Sequence, residues 1–221
     1  MNATNSPMPT ILSGPAGALE ILAEGFDARF TGIAVICHPH PLHGGTMLNK
    51  VVHYLARSCR ELGLASLRFN YRGVGKSDGS YGDGVGESED LMAIIDWLTE
   101  RYPGRQLWLA GFSFGSYVAL RAAGQRPVEQ LITIAPAVNR LDFSKLPMPG
   151  CPWLLVHGDA DEVVPLEEVV RWVATLAKPP ETVYMEGVGH FFHGQLPRLQ
   201  ENLMKKLATA AARLSSDPLN D

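Results

Sequence analysis

Apolar residues along the chain fall into short continuous runs that alternate with longer stretches of helical spacing. A continuous apolar run predicts a strand that is buried on both faces, as in a parallel sheet. Such runs predict strands at residues 33–37, 65–69, 107–110, 130–134, 153–156 and 181–185. Apolar residues three and four apart predict helices at residues 49–62, 87–101, 166–177 and 196–214, with a further Ala- and Leu-rich helix that ends near residue 124.

Strands and helices mostly alternate from residue 33 onward, which predicts a largely parallel sheet with helices on both faces. Shorter strand patterns at residues 10–12 and 18–23 flank SGPAG and predict a hairpin ahead of this sheet. The predicted fold class is α/β, a three-layer α/β/α sandwich with a mostly parallel twisted sheet of about eight strands. Residues 1–221 are predicted to form a single domain, with a flexible start at residues 1–9.

Composition narrows the classes of function. The 221 residues carry a formal net charge of −4 without basic clusters, which argues against nucleic acid as a partner. No apolar run has the length of a membrane span, and the first residues lack the charge and apolar core of a signal peptide. Three widely spaced cysteines fit reduced thiols. We therefore expect a cytoplasmic protein with no membrane partner.

The sequence GFSFG, residues 111–115, joins a predicted strand directly to a predicted helix. A strand, a G-x-S-x-G turn and a helix form a nucleophile elbow, which raises a serine above the sheet edge. Such a turn leaves little room two residues before and after the serine, which favours glycine at both places. Ser113 is therefore the candidate nucleophile, and a helix N-cap is the structural alternative.

Other polar loops follow the remaining predicted strands. They are HPHPLHGG from residue 38, RGVGKSDG from residue 72, HGDADEVVP from residue 157 and GHFFHG from residue 189. Function in a parallel sheet collects at the carboxyl ends of the strands, so these loops are expected to converge on Ser113. A serine hydroxyl needs a base, and His190 and His193 both follow the last strand. The acid that orients the base is then Asp159, Asp161 or Glu162.

With these loops in view, the chain resembles the α/β-hydrolases over nearly its whole length, and more narrowly the compact bacterial serine hydrolases with HPHP after the third strand. The resemblance implies an α/β-hydrolase fold and a triad in the order Ser, Asp, His. Its H-G-x-x-D-x-x-V-P pattern selects Asp161, and its G-x-x-H-F-F pattern selects His190. Asp159 is expected to shape its turn, and His193 to lie at the pocket rim or contact substrate.

The oxyanion hole needs two backbone N–H donors. The elbow supplies one from Phe114. Proline has no N–H, so the loop after residue 37 offers His40, with Leu42 as the second candidate. The resemblance to the usual H-G-x loop also points to His40, although Pro39 replaces the glycine.

Aromatic and histidine side chains near the expected triad are predicted to form the substrate pocket, namely His43, Phe112, Phe191 and His193, with core packing as the alternative for the phenylalanines. In the RGVGKSDG loop, Arg72 and Asp78 are expected to form a structural ion pair.

Rival functions fit the sequence less well. His38, His40 and His43 form an H-x-H-x-x-H pattern that is similar to metallo-β-lactamase-type hydrolases, but Leu42 stands where those carry an aspartate, and the serine elbow is left unexplained. A cysteine or acidic nucleophile would need a different residue at position 113. A hydrolase fold kept as a binding module is the non-enzymatic alternative. No metal or other cofactor is predicted.

The interval between residues 136 and 152 is too short for a helical lid. We therefore expect an open cleft that favours small or short-acyl esters over long lipids, because little apolar wall is available to bury a chain. The predicted function is a carboxylesterase whose partners are a small-molecule ester and water. An acyltransferase, a thioesterase or a peptidase would use the same residues.

Overall fold

Eight strands and five helices make up the computed structural model, which describes residues 8–26 and 29–215. The predicted flexible start lies, for residues 1–7, outside the described residues. The strands are β1 (Ile11–Gly14), β2 (Gly17–Glu24), β3 (Gly32–Cys37), β4 (Ala65–Phe69), β5 (Gln106–Phe112), β6 (Gln130–Ile134), β7 (Trp153–Gly158) and β8 (Glu181–Met185). The helices are α1 (Lys50–Glu61), α2 (Val85–Arg101), α3 (Phe114–Ala123), α4 (Leu166–Val173) and α5 (Leu196–Ser215).

The strands form one sheet in the order β1-β2-β4-β3-β5-β6-β7-β8. β1 pairs antiparallel with β2 as the predicted hairpin, and β2 pairs antiparallel with β4. Every other neighbouring pair is parallel. The predicted α/β sandwich with a mostly parallel sheet is therefore confirmed.

Alternate residues of the central strands pack in two separate cores, because successive side chains of a strand point to opposite faces of the sheet. Leu109 of β5 packs in the core that includes α2 and α3, whereas Trp108 of the same strand packs in the core that includes α1 and α5. Strand β3 is buried at all six positions, as its apolar sequence predicts. The resulting three layers bring the carboxyl ends of β3 to β8 to one edge.

Helix α4 ends four residues earlier than the predicted helix at residues 166–177. After Val173 the N–H groups of Thr175 and Leu176 bond three residues back, as in tight turns. The hydroxyl of Thr175 also donates to the carbonyl of Trp172, at 2.6 Å. This side-chain bond competes with the helical pattern and ends the helix.

The segment between β6 and β7 holds only a single turn of 3₁₀-helix, Phe143–Lys145. No lid domain covers the edge of the sheet there, as predicted. Within residues 8–26 and 29–215, no helix is long and apolar enough to cross a membrane.

Candidate active site

Ser113 occupies the sharp turn between β5 and α3 with φ 54° and ψ −115°. A positive φ is uncommon for a residue with a side chain and costs about 1–3 kcal/mol, which the surrounding structure must offset. The serine N–H donates to the carbonyl of Ile134 at 2.8 Å, which fixes the turn against β6. Ser113 is 8% exposed, so its hydroxyl is held at the edge of the sheet with limited access to water.

Both glycines of the GFSFG turn are required by close backbone approach. A Cβ on Gly111 would collide with the backbone of Gly115 and lie 2.6 Å from the amide nitrogen of Ser116. A Cβ on Gly115 would lie 2.7 Å from the carbonyl carbon of Cys37 and from the carbonyl oxygen of His38. The second contact shows that α3 starts directly against the loop after β3.

Ser113, His190 and Asp161 form one hydrogen-bonded row. Nε2 of His190 lies 3.1 Å from Oγ of Ser113, and Nδ1 lies 2.8 Å from Oδ2 of Asp161. Nδ1–H donates a hydrogen bond to the carboxylate, so the unprotonated Nε2 can accept a hydrogen bond from the serine hydroxyl. His190 is 3% exposed and Asp161 is 6% exposed, so both groups act in a largely water-free environment.

The other carboxylate oxygen of Asp161 accepts two backbone N–H groups, from Val163 at 2.9 Å and from Val164 at 2.7 Å. Burial acts to raise the pKa of Asp161, but the bond to His190 and these two N–H groups outweigh it, so the pKa lies below its ordinary value. Asp161 is therefore ionised at neutral pH and suited to stabilise an imidazolium.

The two neighbouring acids, Asp159 and Glu162, hold the backbone of the histidine loop instead. Oδ1 of Asp159 accepts the N–H of Gly187 at 2.7 Å, and Oε2 of Glu162 accepts the N–H of His190 itself at 3.2 Å. All three acids of HGDADEVVP thus contribute to the position of His190. Among the acids of that segment, only Asp161 reaches its imidazole.

His157 lies beside Asp161, although it is not among the candidate site residues that the sequence indicates. It is fully buried at the end of β7, donates from Nε2 to the carbonyl of Val164 at 2.9 Å, and has Nε2 3.6 Å from Oδ2 of Asp161. Burial lowers the pKa of His157. A neutral ring therefore braces the loop that carries Asp161. A histidine at the end of a buried strand, next to an acidic loop, was the available signal.

The loop after β3 presents two candidate N–H donors, and the structure distinguishes between them. The N–H of Leu42 donates to Nδ1 of His40 at 3.2 Å, so it is already engaged. The N–H of His40 has no acceptor in the described part of the chain. The N–H of Phe114 stands at the start of α3, where the first turn leaves its donors free.

Two side chains hold this loop in place. Nε2 of the His40 ring lies 3.2 Å from the hydroxyl of Tyr81. His38 is fully buried: Nδ1 donates to the carbonyl of Pro39 at 2.7 Å, and Nε2 accepts the N–H of Tyr71 at 3.2 Å. Burial lowers the pKa of His38 to about 3. Both ring nitrogens are thus committed to the protein, and none of the described residues form a cluster that would hold a metal ion.

A cavity of about 510 Å³ opens above Ser113. Its lining combines polar and charged side chains with apolar ones. The lining residues are His40, His43, Tyr81, Asp83, Ser113, Phe114, Ala137, Arg140, Leu141 and Val163.

Of the four predicted pocket residues, only His43 lines this cavity. Phe112 is fully buried in the core, with its ring centroid 5.2 Å from that of His190, so it packs against this imidazole. Phe191 and His193 line a separate groove at the start of α1. The chain turns through φ 52° at Phe192, which directs that ring into the core and leaves its two neighbours on the surface.

The prediction of an ion pair between Arg72 and Asp78 is wrong. Arg72 forms a bidentate pair with buried Asp90 of α2: Nη2 donates to Oδ1 at 2.8 Å and Nε donates to Oδ2 at 3.1 Å. Its Nη2 also donates to Glu89 at 3.2 Å. Asp78 accepts the N–H of Ala18 at 2.7 Å and so fastens its loop to β2. The loop is anchored at two places and does not contribute to the cavity above Ser113.

Comparison with known proteins gives consistent matches. The family model described as serine aminopeptidase, S33 (Hydrolase_4) matches residues 33–150. An α/β serine hydrolase homologue from Coxiella burnetii has 47% identity and a TM-score of 0.87, covering 92% of this chain and 100% of that one. A lidless α/β serine hydrolase from Xanthomonas campestris has 43% identity and a TM-score of 0.86, covering 92% and 96% respectively.

A shorter match relates the chain to a thioesterase. The mitochondrial palmitoyl-protein thioesterase ABHD10 of Bos taurus is 42% identical over 96 residues. The alignment covers 41% of this chain and 30% of that protein, so it concerns one segment of each.

Proposed function

The chain belongs to the α/β-hydrolase superfamily, and on that premise we propose that it is a serine carboxylesterase for small or short-acyl esters. The observation that carries this proposal is the row of Ser113, His190 and Asp161, which opens onto a cavity beside two free N–H donors. The proposed roles are nucleophile for Ser113, general base for His190 and orienting carboxylate for Asp161.

The first step is acylation of Ser113. Nε2 of His190 removes the hydroxyl proton as Oγ attacks the ester carbonyl carbon, and Asp161 stabilises the imidazolium that forms. The N–H groups of His40 and Phe114 bind the oxygen of the tetrahedral intermediate, where its negative charge develops. When this intermediate collapses, the bond to the alcohol breaks, and the alcohol leaves with the proton from His190.

The second step returns the enzyme to its resting state. A water molecule gives a proton to His190 as its oxygen attacks the acyl carbon, and the same two N–H groups bind the second oxyanion. When this second intermediate collapses, the bond between the acyl carbon and Oγ breaks, the carboxylic acid leaves, and His190 returns its proton to Oγ of Ser113. Each step uses only groups of the chain and the two reactants, so no cofactor is proposed.

The open cavity supports small substrates. Of the residues that the structure describes, only Ala137, Leu141 and Val163 add aliphatic surface to the cavity, and none of these described segments forms a lid over it. Burial of a long acyl chain would need much more apolar surface, because the gain is roughly 25 cal/mol per Å² of apolar area buried. The thioesterase match supports a second candidate function, a short-acyl thioesterase that uses the same residues.

The test is a matched substrate panel on the wild type and on Ser113→Ala. It compares p-nitrophenyl acetate, butyrate and palmitate, and S-butyryl with O-butyryl esters. We expect kcat/KM to be highest for the short oxygen esters and to be lost in Ser113→Ala. Preference for the palmitate would contradict the short-acyl proposal, and preference for the thioester would favour the second candidate.

We also propose a cytoplasmic location. The three free thiols, Cys37, Cys59 and Cys151, support it.

A further inference from the structure

Arg140 is a cation of the cavity that the proposed reaction does not use. It lines the same cavity as Ser113, its side chain is exposed, and the described part of the chain gives that side chain no ion pair or hydrogen bond. Its guanidinium is therefore available to a ligand in the cavity. An arginine offers five N–H donors in a planar fork that matches a carboxylate.

Arg140 is carried by the short segment that stands where other hydrolases have a lid, and that segment is firmly held. The N–H of Arg140 donates to the carbonyl of Ala137 at 3.0 Å. On one side, Asn139 donates from Nδ2 to the carbonyl of Val163 at 3.0 Å, which ties the segment to the loop of the proposed catalytic acid. On the other side, Leu141 packs against the core. The backbone beneath the guanidinium is therefore fixed relative to the site.

Asp83 gives the cavity a second charge, of the opposite sign. Asp83 lines the same cavity, and among the ion pairs of the described residues none joins it to Arg140. Asp83 acts electrostatically on His40 and Tyr81, which places its charge near these two side chains. An anionic group of a substrate is repelled there and attracted to Arg140. The apolar Ala137, Leu141 and Val163 suit a short hydrocarbon spacer between that group and the scissile carbonyl.

We propose that the substrate is an ester that carries a carboxylate, and that Arg140 binds this carboxylate. The inference rests on the proposed esterase function and adds the substrate class. The chain has a net charge of −4, so its overall field does not attract anions, and the selectivity has to come from a local cation.

The test compares substrates that differ in one charge. The p-nitrophenyl monoester of adipic acid and p-nitrophenyl hexanoate have the same chain length and place the carboxylate on the acyl side. 4-(Butyryloxy)benzoate and phenyl butyrate place it on the alcohol side. For one of the two pairs, we expect wild-type kcat/KM to be about tenfold higher for the anionic ester, as for a charged hydrogen bond at a partly exposed site.

Four variants assign the effect. Arg140→Gln is expected to bring the anionic-to-neutral ratio to about one while the neutral ester keeps its rate, and Arg140→Lys is expected to retain part of the preference. Asp83→Asn should raise the rate for the anionic ester about twofold by removing repulsion; asparagine tolerates the φ of 53° at this position. Arg29→Gln is the matched control, because Arg29 is exposed just before β3, at the opposite edge of the sheet.

A preference for the neutral ester in both pairs would overturn the proposal, as would an unchanged ratio in Arg140→Gln. The rate with the neutral ester reports whether each variant is folded. Calorimetry of monomethyl adipate binding to Ser113→Ala, with and without Arg140→Gln, gives a readout that needs no turnover. Binding that does not depend on Arg140 would contradict the inference, whereas a lack of any ester hydrolysis by the wild type would contradict the proposed function.

Discussion

Acidification from pH 7.5 to pH 5 is expected to destabilise the fold through the buried ring of His38. In the folded protein, burial lowers the pKa of this ring from 6.5 to about 3. Between these two values the unfolded chain binds one proton more than the folded chain, so the free energy of unfolding falls as the pH drops. Above pH 6.5 the ring is neutral in both states and contributes no pH dependence.

The two pKa values set the size of the effect. Each pH unit between the two pKa values changes the free energy of unfolding by about 1.4 kcal/mol. Because pH 5 lies about 1.5 units below the pKa in the unfolded chain, the free energy of unfolding falls by about 2 kcal/mol. The pKa values of His157, His40 and His53 are also lowered by burial, and they act in the same direction. The contribution of His38 therefore has to be measured as a difference between variants.

The assay is urea unfolding at pH 7.5, 6.5, 5.5 and 5, followed by tryptophan fluorescence. His38→Gln is expected to be less stable at every pH, because the shorter, differently shaped amide cannot place its donor and acceptor where both ring nitrogens stand. Its loss between pH 7.5 and pH 5 is expected to be about 2 kcal/mol smaller than that of the wild type. Exposed His193→Gln is the matched control and should keep the wild-type slope. Parallel curves for wild type and His38→Gln would refute a neutral, buried His38.

Substitutions at four positions test the proposed catalytic geometry. Asp161→Asn should lower kcat by about 10³–10⁴, because the imidazole of His190 loses its orienting carboxylate. Glu162→Gln changes only a contact to the backbone N–H of His190 and should lower kcat less than about tenfold. Gly115→Ala should lower the free energy of unfolding by about 1–3 kcal/mol and also lower kcat, because the methyl group of the alanine displaces the loop after β3. An unchanged melting temperature would contradict the close contact between Gly115 and that loop. His40→Ala should lower kcat more than His40→Asn does, because asparagine keeps an acceptor for the N–H of Leu42. Equal losses of kcat in the two variants would show that this hydrogen bond does not shape the loop.

Much of the fold was readable from the sequence because buried strands and glycine turns leave strong local patterns. Strand β6 matches its predicted residues 130–134, and β3 is buried throughout as its apolar run indicates. Ser113, Asp161 and His190 were selected by motif, and the structure brings their side chains together at the edge where the parallel strands end.

The remaining features depend on contacts between distant segments. Arg72 pairs with Asp90 because α2 packs against its loop, which no local pattern indicates. Phe191 was expected in the pocket, but the left-handed turn at Phe192 leaves it on the surface. Arg140 was not singled out, because the segment after β6 has neither periodicity nor motif. Its place at the cavity is set by tertiary packing and by the bond from Asn139.

The proposed nucleophile is tested most directly by covalent labelling of the folded protein with a fluorophosphonate, followed by intact mass and peptide mapping. The account predicts one adduct, on Ser113, formed rapidly by the wild type, much more slowly by His190→Ala, and not at all by Ser113→Ala. Folded wild-type protein that stays unlabelled, or an adduct on any residue other than Ser113, would contradict it.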